Sequence, residues 1–219
     1  MPDAKNEIAV QENTEITEQG VKSAPLDYMS GDSLNKAYKN ATILAKSDLV
    51  PEMYKGRADN VLLAMDMASR TNFSLMQVMQ NLYIVRGKPS WSGSFCMSAI
   101  KACGLYAGVK YVFVGDPGTM EYGCYVTATD LRTGERVNGT VVNWAMVKAE
   151  GWDKKPGSKW LTMPELMFRY RAAAFFARTE CPEVLQGLQT TEEVNDVYGY
   201  EQPQKQKRKF TLADVEEVE

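Results

Sequence analysis

The chain has 219 residues, 44% of them apolar, which is enough for one core of domain size, and its formal net charge is −3. It contains no histidine, so histidine-based zinc sites, Ser-His-Asp triads and Cys-His nucleophile pairs are excluded. No apolar run approaches the roughly 18 residues that a membrane-spanning helix needs.

Residues 1–30 hold six acids and two lysines, lack periodicity, and read as a disordered acidic tail. The start, Met1-Pro-Asp-Ala-Lys-Asn-Glu7, has no apolar stretch of the signal-peptide kind, so a cytoplasmic location is expected. Asp32 or Ser33 can cap a first helix whose stripe is Leu34, Ala37, Tyr38, Ala41 and Leu44. Pro51 interrupts. A second helix is expected over 57–70, apolar on most sides and therefore buried, and Ser74 caps a third through Gln80. Leu82 to Arg86 reads as a strand, Gly87-Lys88-Pro89 as a turn, and Ser90-Trp91 as the return. Ser92 or Ser94 then caps a helix that Gly104 stops.

Three strands follow, over 109–114, 121–130 and 136–142, with Asp116-Pro117-Gly118 and Arg132-Thr-Gly-Glu135 as turns. Connections this short imply an antiparallel meander. A short helix near 144–150 leads into the loop Gly151-Trp-Asp-Lys-Lys-Pro-Gly-Ser-Lys159. The stretch from Trp160 to Arg178 predicts a helix with Pro164 in its first turn and Thr162 and Glu165 as a capping box. A last short helix, capped by Thr190 or Thr191, covers Glu192 to Val197, and residues 199–219 read as a flexible tail. The whole predicts an α+β fold: an antiparallel hairpin and a three-stranded meander packed with helices, in a core over 31–198.

Charge is unevenly placed. Eight acids face four bases over 192–219, so residues 31–191 hold 19 bases against 14 acids. A positive body between acidic tails fits a polyanionic partner, and equally an ordinary body with solubilising tails. Arg171, Ala174, Phe175 and Arg178 share one face of the predicted helix. Arg169 has Glu165 at i−4 as a partner. No acid within the helix lies three or four residues from Arg171 or Arg178 on their face, although Glu180 and Glu183 near its end could pair with Arg178. Arg86 and Lys88 flank the hairpin turn, and Lys154, Lys155 and Lys159 occupy the loop before the helix. Folded towards the arginine face, they would form a basic groove for single-stranded nucleic acid, with Trp91 and Trp160 as stacking platforms or, in the commoner use of the ring, as core. The basic run 205–209 reads as a solvated tail or a non-specific nucleic-acid contact.

Other chemistries find little support. Lys155-Pro-Gly-Ser158 lacks the spacing of a Walker motif, and no GxGxxG follows a strand. Asp116, Glu121, Asp130 and Glu135 fall at turns and do not cluster as metal ligands. Cys96, Cys103, Cys124 and Cys181 form no CxxC pair and read as small buried hydrophobes.

Two segments resemble the RecT/Redβ family of phage single-strand annealing proteins. One is Asn81-Leu-Tyr-Ile-Val-Arg-Gly-Lys-Pro-Ser-Trp-Ser-Gly93 with the helix after it. The other runs from Trp160 through Pro164, Met167, Arg169, Tyr170, Arg171 and Ala172 to Arg178, then Pro182-Glu-Val-Leu185 and Leu188-Gln-Thr-Thr-Glu-Glu193. With the meander between them the resemblance spans about 33–198. It implies a non-enzymatic, ATP-independent protein that anneals complementary DNA strands during recombination. It also implies a homo-oligomer, ring or helical filament, with the strand held by its phosphates in a basic groove. Arg169, Arg171 and Arg178 match basic positions of the family's final core helix, whereas Glu165 replaces another. No cofactor is required on this reading, with Mg2+ a modulator of DNA binding. The implied partners are single-stranded DNA, the annealed duplex intermediate, a phage exonuclease and a host single-strand-binding protein, in the cytoplasm of a bacterial host. A metal-dependent nuclease and an assembly scaffold without DNA affinity are the alternatives.

Overall fold

The computed structural model describes residues 26–71 and 73–198. The expected tail over 199–219, the run 205–209 and residues 1–25 of the expected N-terminal tail lie outside the described residues. The described end of that first tail is tied to the body, because Leu26 N–H donates to Asp66 Oδ1 at 3.3 Å.

Helix α1 (Gly31–Leu44) packs on α2 (Ala58–Arg70), with a 3-10 turn at Glu52–Tyr54 between them. Its cap is Ser30 rather than Asp32 or Ser33. Ser30 is extended at φ −96° and accepts from Ser33 N–H at 3.4 Å, which leaves Asp32 in the first turn to complement the helix dipole. Ser74 caps α3 (Leu75–Asn81) as expected, reciprocated by the Gln77 side chain.

Strands β1 (Leu82–Val85) and β2 (Lys88–Trp91) pair antiparallel, with Leu82 opposite Trp91. Arg86 and Gly87 turn the hairpin with φ of +51° and +76°, the left-handed pair that matches the twist of two-residue hairpins. Ser92 caps α4 (Gly93–Ala102), its Oγ accepting from Phe95 N–H.

The second sheet is built on β3 (Tyr106–Val114) and β4 (Gly123–Asp130), antiparallel to each other. The single return strand expected over 136–142 is broken into β5 (Arg136–Asn138) and β6 (Val142–Asn143), both on β4. Two glycines mark close approaches beside the break. A Cβ on Gly139 would lie 3.0 Å from the Phe176 ring, and one on Gly123 would overlap the Val142 carbonyl oxygen. The long helix α6 (Pro164–Glu180) crosses this sheet, and the absence of a side chain at Gly139 lets the Phe176 ring pack there while Gly139 N–H still donates to the Val126 carbonyl oxygen at 2.8 Å.

Helix α5 (Trp144–Ala149) and a 3-10 turn at Trp152–Lys154 lead into α6. The Thr162–Glu165 capping box does not form. Proline at the first helical position pushes the preceding Met163 out of helical geometry, to φ −141° and ψ 56°, so Met163 becomes a cap without a side-chain bond. Thr162 falls one residue too early, and Glu165 accepts from the Tyr122 hydroxyl at 3.2 Å instead. After α6, a 3-10 turn (Pro182–Leu185) leads to β7 (Gln189–Thr190) and α7 (Thr191–Tyr198). Strand β7 pairs parallel to β2, an element absent from the sequence expectation. The architecture is the expected α+β, with sheets β1-β2-β7 and β3-β4-β5 joined through α4 and α6.

Alanines 172, 173, 174 and 177 are fully buried or nearly so, and let α6 approach β4 and α4 closely. Cys96, Cys124 and Cys181 are buried free thiols, and Cys103 is half-buried. Burial pushes the Cys124 thiol up to about 11 and Cys181 to about 12, which suits packing rather than reactivity. No helix among the described residues is long and apolar enough to cross a membrane.

Candidate nucleic-acid interface

Helix α6 buries most of its circumference, and Arg171 is among the buried residues. Its side chain is 5% exposed. The guanidinium lies 4.1 Å from the centroid of Trp152 and 5.8 Å from that of Phe175. It forms an ion pair with Asp196 and approaches Glu193 at 3.9 Å. Arg178, 40% exposed, donates to Glu193 Oε2 at 2.5 Å. The expected open arginine face is therefore covered. Its acids come from α7 and not from α6 or from Glu180 and Glu183, because the chain folds α7 back across the helix. Arg169 makes the expected pair with Glu165, at 3.6 Å, and stacks 5.0 Å from the Phe113 centroid.

Helix α7 carries a capping box. Glu193 N–H donates to Thr190 Oγ1 at 3.2 Å, and Thr190 N–H donates to Glu193 Oε2 at 2.8 Å. Glu193 thus caps its own helix while holding Arg178. At the far end of α7, Tyr198 meets the hairpin tip. Lys88 Nζ donates to its hydroxyl at 3.3 Å and lies 5.2 Å from the ring centroid, and the Arg86 guanidinium lies 5.6 Å from it.

The loop before α6 presents Lys154 and Lys159 exposed and Lys155 half-buried, with none of the three in an ion pair among the described residues. Lys148 is neutralised by Asp153 at 2.5 Å.

The structure places Trp91 and Trp160 in the core, the commoner of the two uses expected for these rings. Trp91 and Trp160 are each 0% exposed. Trp91 stacks on Phe95 at 4.0 Å, and Trp160 is enclosed by Trp144, Trp152 and Phe168 at centroid distances of 6.3, 5.6 and 5.1 Å. Neither ring has a face for a base. The aromatic that borders the cations is Tyr198, 49% exposed. Tyr198 and the acids Glu193 and Asp196 were missed as site residues. Thr190 and Glu193 at capping-box spacing were the visible signal, but nothing in the sequence says which face of the molecule such a short helix covers.

The third acid of α7, Glu192, is directed at the start of α4. A Cβ added to Gly93 would lie 2.7 Å from Glu192 Oε2, so the carboxyl fills the space that glycine leaves. Burial, the largest influence, pushes this carboxyl above the ordinary glutamate value. A carboxyl whose pKa rises on folding binds its proton more tightly in the folded state. Its contribution is therefore fully present below the unfolded-state pKa and lost as pH rises through the folded one. Glu192→Gln should raise the melting temperature at neutral pH, with the gain vanishing as pH falls to about 4. Thermal unfolding across that range checks this, and a lower melting temperature at neutral pH would show that the ionised carboxylate is stabilising.

Comparison with protein-family models, curated proteins and solved structures gives no match to this chain.

Proposed function

We propose that the chain is an ATP-independent single-strand DNA annealing protein of the RecT/Redβ type, working as a homo-oligomer in the cytoplasm of a bacterial host. One observation carries the reading beyond the sequence resemblance. Cationic elements far apart in sequence border the same short helix: the hairpin tip meets Tyr198, and Arg171 meets Asp196 two residues away. Trp152, beneath Arg171, opens the turn that leads to Lys154, Lys155 and Lys159. Arg86, Lys88, Arg169, Arg171, Arg178 and the three loop lysines form the proposed phosphate-binding set.

Annealing on such a surface needs no catalytic group. Base pairing and stacking supply the driving force, about 1.4 kcal/mol per step. The protein has to offset phosphate repulsion and leave bases free to pair. Few contacts per subunit give weak binding, and linked copies of the site raise it through effective concentration, which is the physical case for an oligomer.

The direct test is annealing of two complementary oligonucleotides without ATP across a salt series. Acceleration over the protein-free rate, fading as salt rises, is expected. Replacing Lys154, Lys155 and Lys159 together with alanine should reduce the salt slope of single-strand binding by about 2, at roughly 0.7 per phosphate contact, with the melting temperature preserved. No acceleration at any salt by folded protein would overturn the reading.

A further inference from the structure

We infer that α7 mimics a nucleic-acid strand and occupies, in the free protein, the strip that single-stranded DNA takes over. The inference rests on the annealing reading and assigns that site its regulation. The contacts of α7 with the cationic side chains offer what a DNA strand would offer. Asp196 and Glu193 present carboxylates to Arg171 and Arg178 where phosphates would lie. The Tyr198 ring lies against the Arg86 guanidinium and Lys88 ammonium where a base would lie. Glu192 fills the space over Gly93 at the start of α4.

The mode of attachment suits exchange. Of the buried residues of α7 only Val194 is apolar; the others are Glu193 and Asp196, and Val197 is 61% exposed. The helix is held mainly by charge, not by apolar area. Pulling it away with nothing in return would break the ion pair between the buried Arg171 and the buried Asp196, which is unfavourable, so α7 stays docked in the free chain. A phosphate replaces the carboxylate one for one and keeps the guanidinium paired. DNA binding and α7 docking then compete, and apparent affinity falls with the fraction of chains in which the strip is open.

The test uses the full chain with Glu193→Gln and Asp196→Asn, and an oligo-dT probe. Glutamine at 193 retains the acceptor of the capping box, so α7 can still form. The double variant should bind oligo-dT about tenfold more tightly than the parent, within the span usual for coupled equilibria. If the double variant fails to fold, Glu193→Gln alone serves, with a smaller gain. Hydrogen exchange on the parent protein provides the second readout: saturating oligo-dT should speed exchange of the amides of 191–198. Binding by the parent with α7 equally or better protected, and no gain in the folded variant, would overturn the mimic while leaving annealing intact. Absence of binding by parent and folded variant alike would overturn both. Absence in the parent with binding by the variant would support the mimic in its strongest form.

Discussion

Trp91→Ala is expected to remove about 3–5 kcal/mol of unfolding free energy, a large part of the 5–15 kcal/mol available to a domain. The indole is fully buried, stacks on Phe95 at an interplanar angle of 15°, and through Phe95 reaches Phe73 at 4.7 Å. Its Nε1–H donates to the Leu185 carbonyl oxygen at 3.0 Å. Truncation therefore leaves a cavity between sheet β1-β2-β7 and α4 and also a buried acceptor without its donor. Trp91→Phe should cost less, since a ring remains on Phe95 and only the hydrogen bond and part of the volume are lost. Urea unfolding of the two variants gives the comparison. An alanine variant of unchanged stability that had lost single-strand binding would return Trp91 to the stacking role its position beside the hairpin suggests.

Local signals were legible where the chemistry is local. The Ser74 cap, Ser92 as one of two candidate caps, and a hairpin between Leu82 and Trp91 all follow from neighbours within about four residues and appear, although the turn falls at Arg86-Gly87 rather than Gly87-Lys88-Pro89, which leaves Lys88 and Pro89 in the return strand. The errors arise where a distant element decides. Phe176, on a helix later in the chain, packs over Gly139, where the last expected strand gives way to two short ones. Thr190 pairs with Trp91, almost a hundred residues earlier in the chain. The arginine face is the instructive case. Its positions on the helix were read correctly, but their exposure was inferred from the lack of acids in the same helix. A short helix further along the chain supplied those acids, and helical periodicity carries no information about that.

Arg171→Ala should be nearly as damaging as Trp91→Ala, at about 3–5 kcal/mol, because it strands buried carboxylates instead of merely losing a contact. Asp196 has a side chain 2% exposed and Glu193 10%, and removing the guanidinium leaves the first without the cation that compensates its burial. The stack on Trp152 is lost as well. Arg178→Ala acts at a side chain 40% exposed, where solvent screens the pair, and about 1 kcal/mol or less is expected. Arg171→Lys separates charge from shape: it keeps the positive charge but loses the planar fork that reaches Asp196 while stacking on Trp152, so an intermediate loss is expected. Adding Asp196→Leu to Arg171→Met should recover much of the stability, since an apolar pair of similar volume can replace a buried ion pair at little net cost. That recovery, followed by chemical denaturation, distinguishes a penalty for unpaired charge from a loss of packing. Stability unchanged in Arg171→Ala, with single-strand binding abolished, would mean that α7 is not docked on α6 in solution and that the arginine face is open from the start.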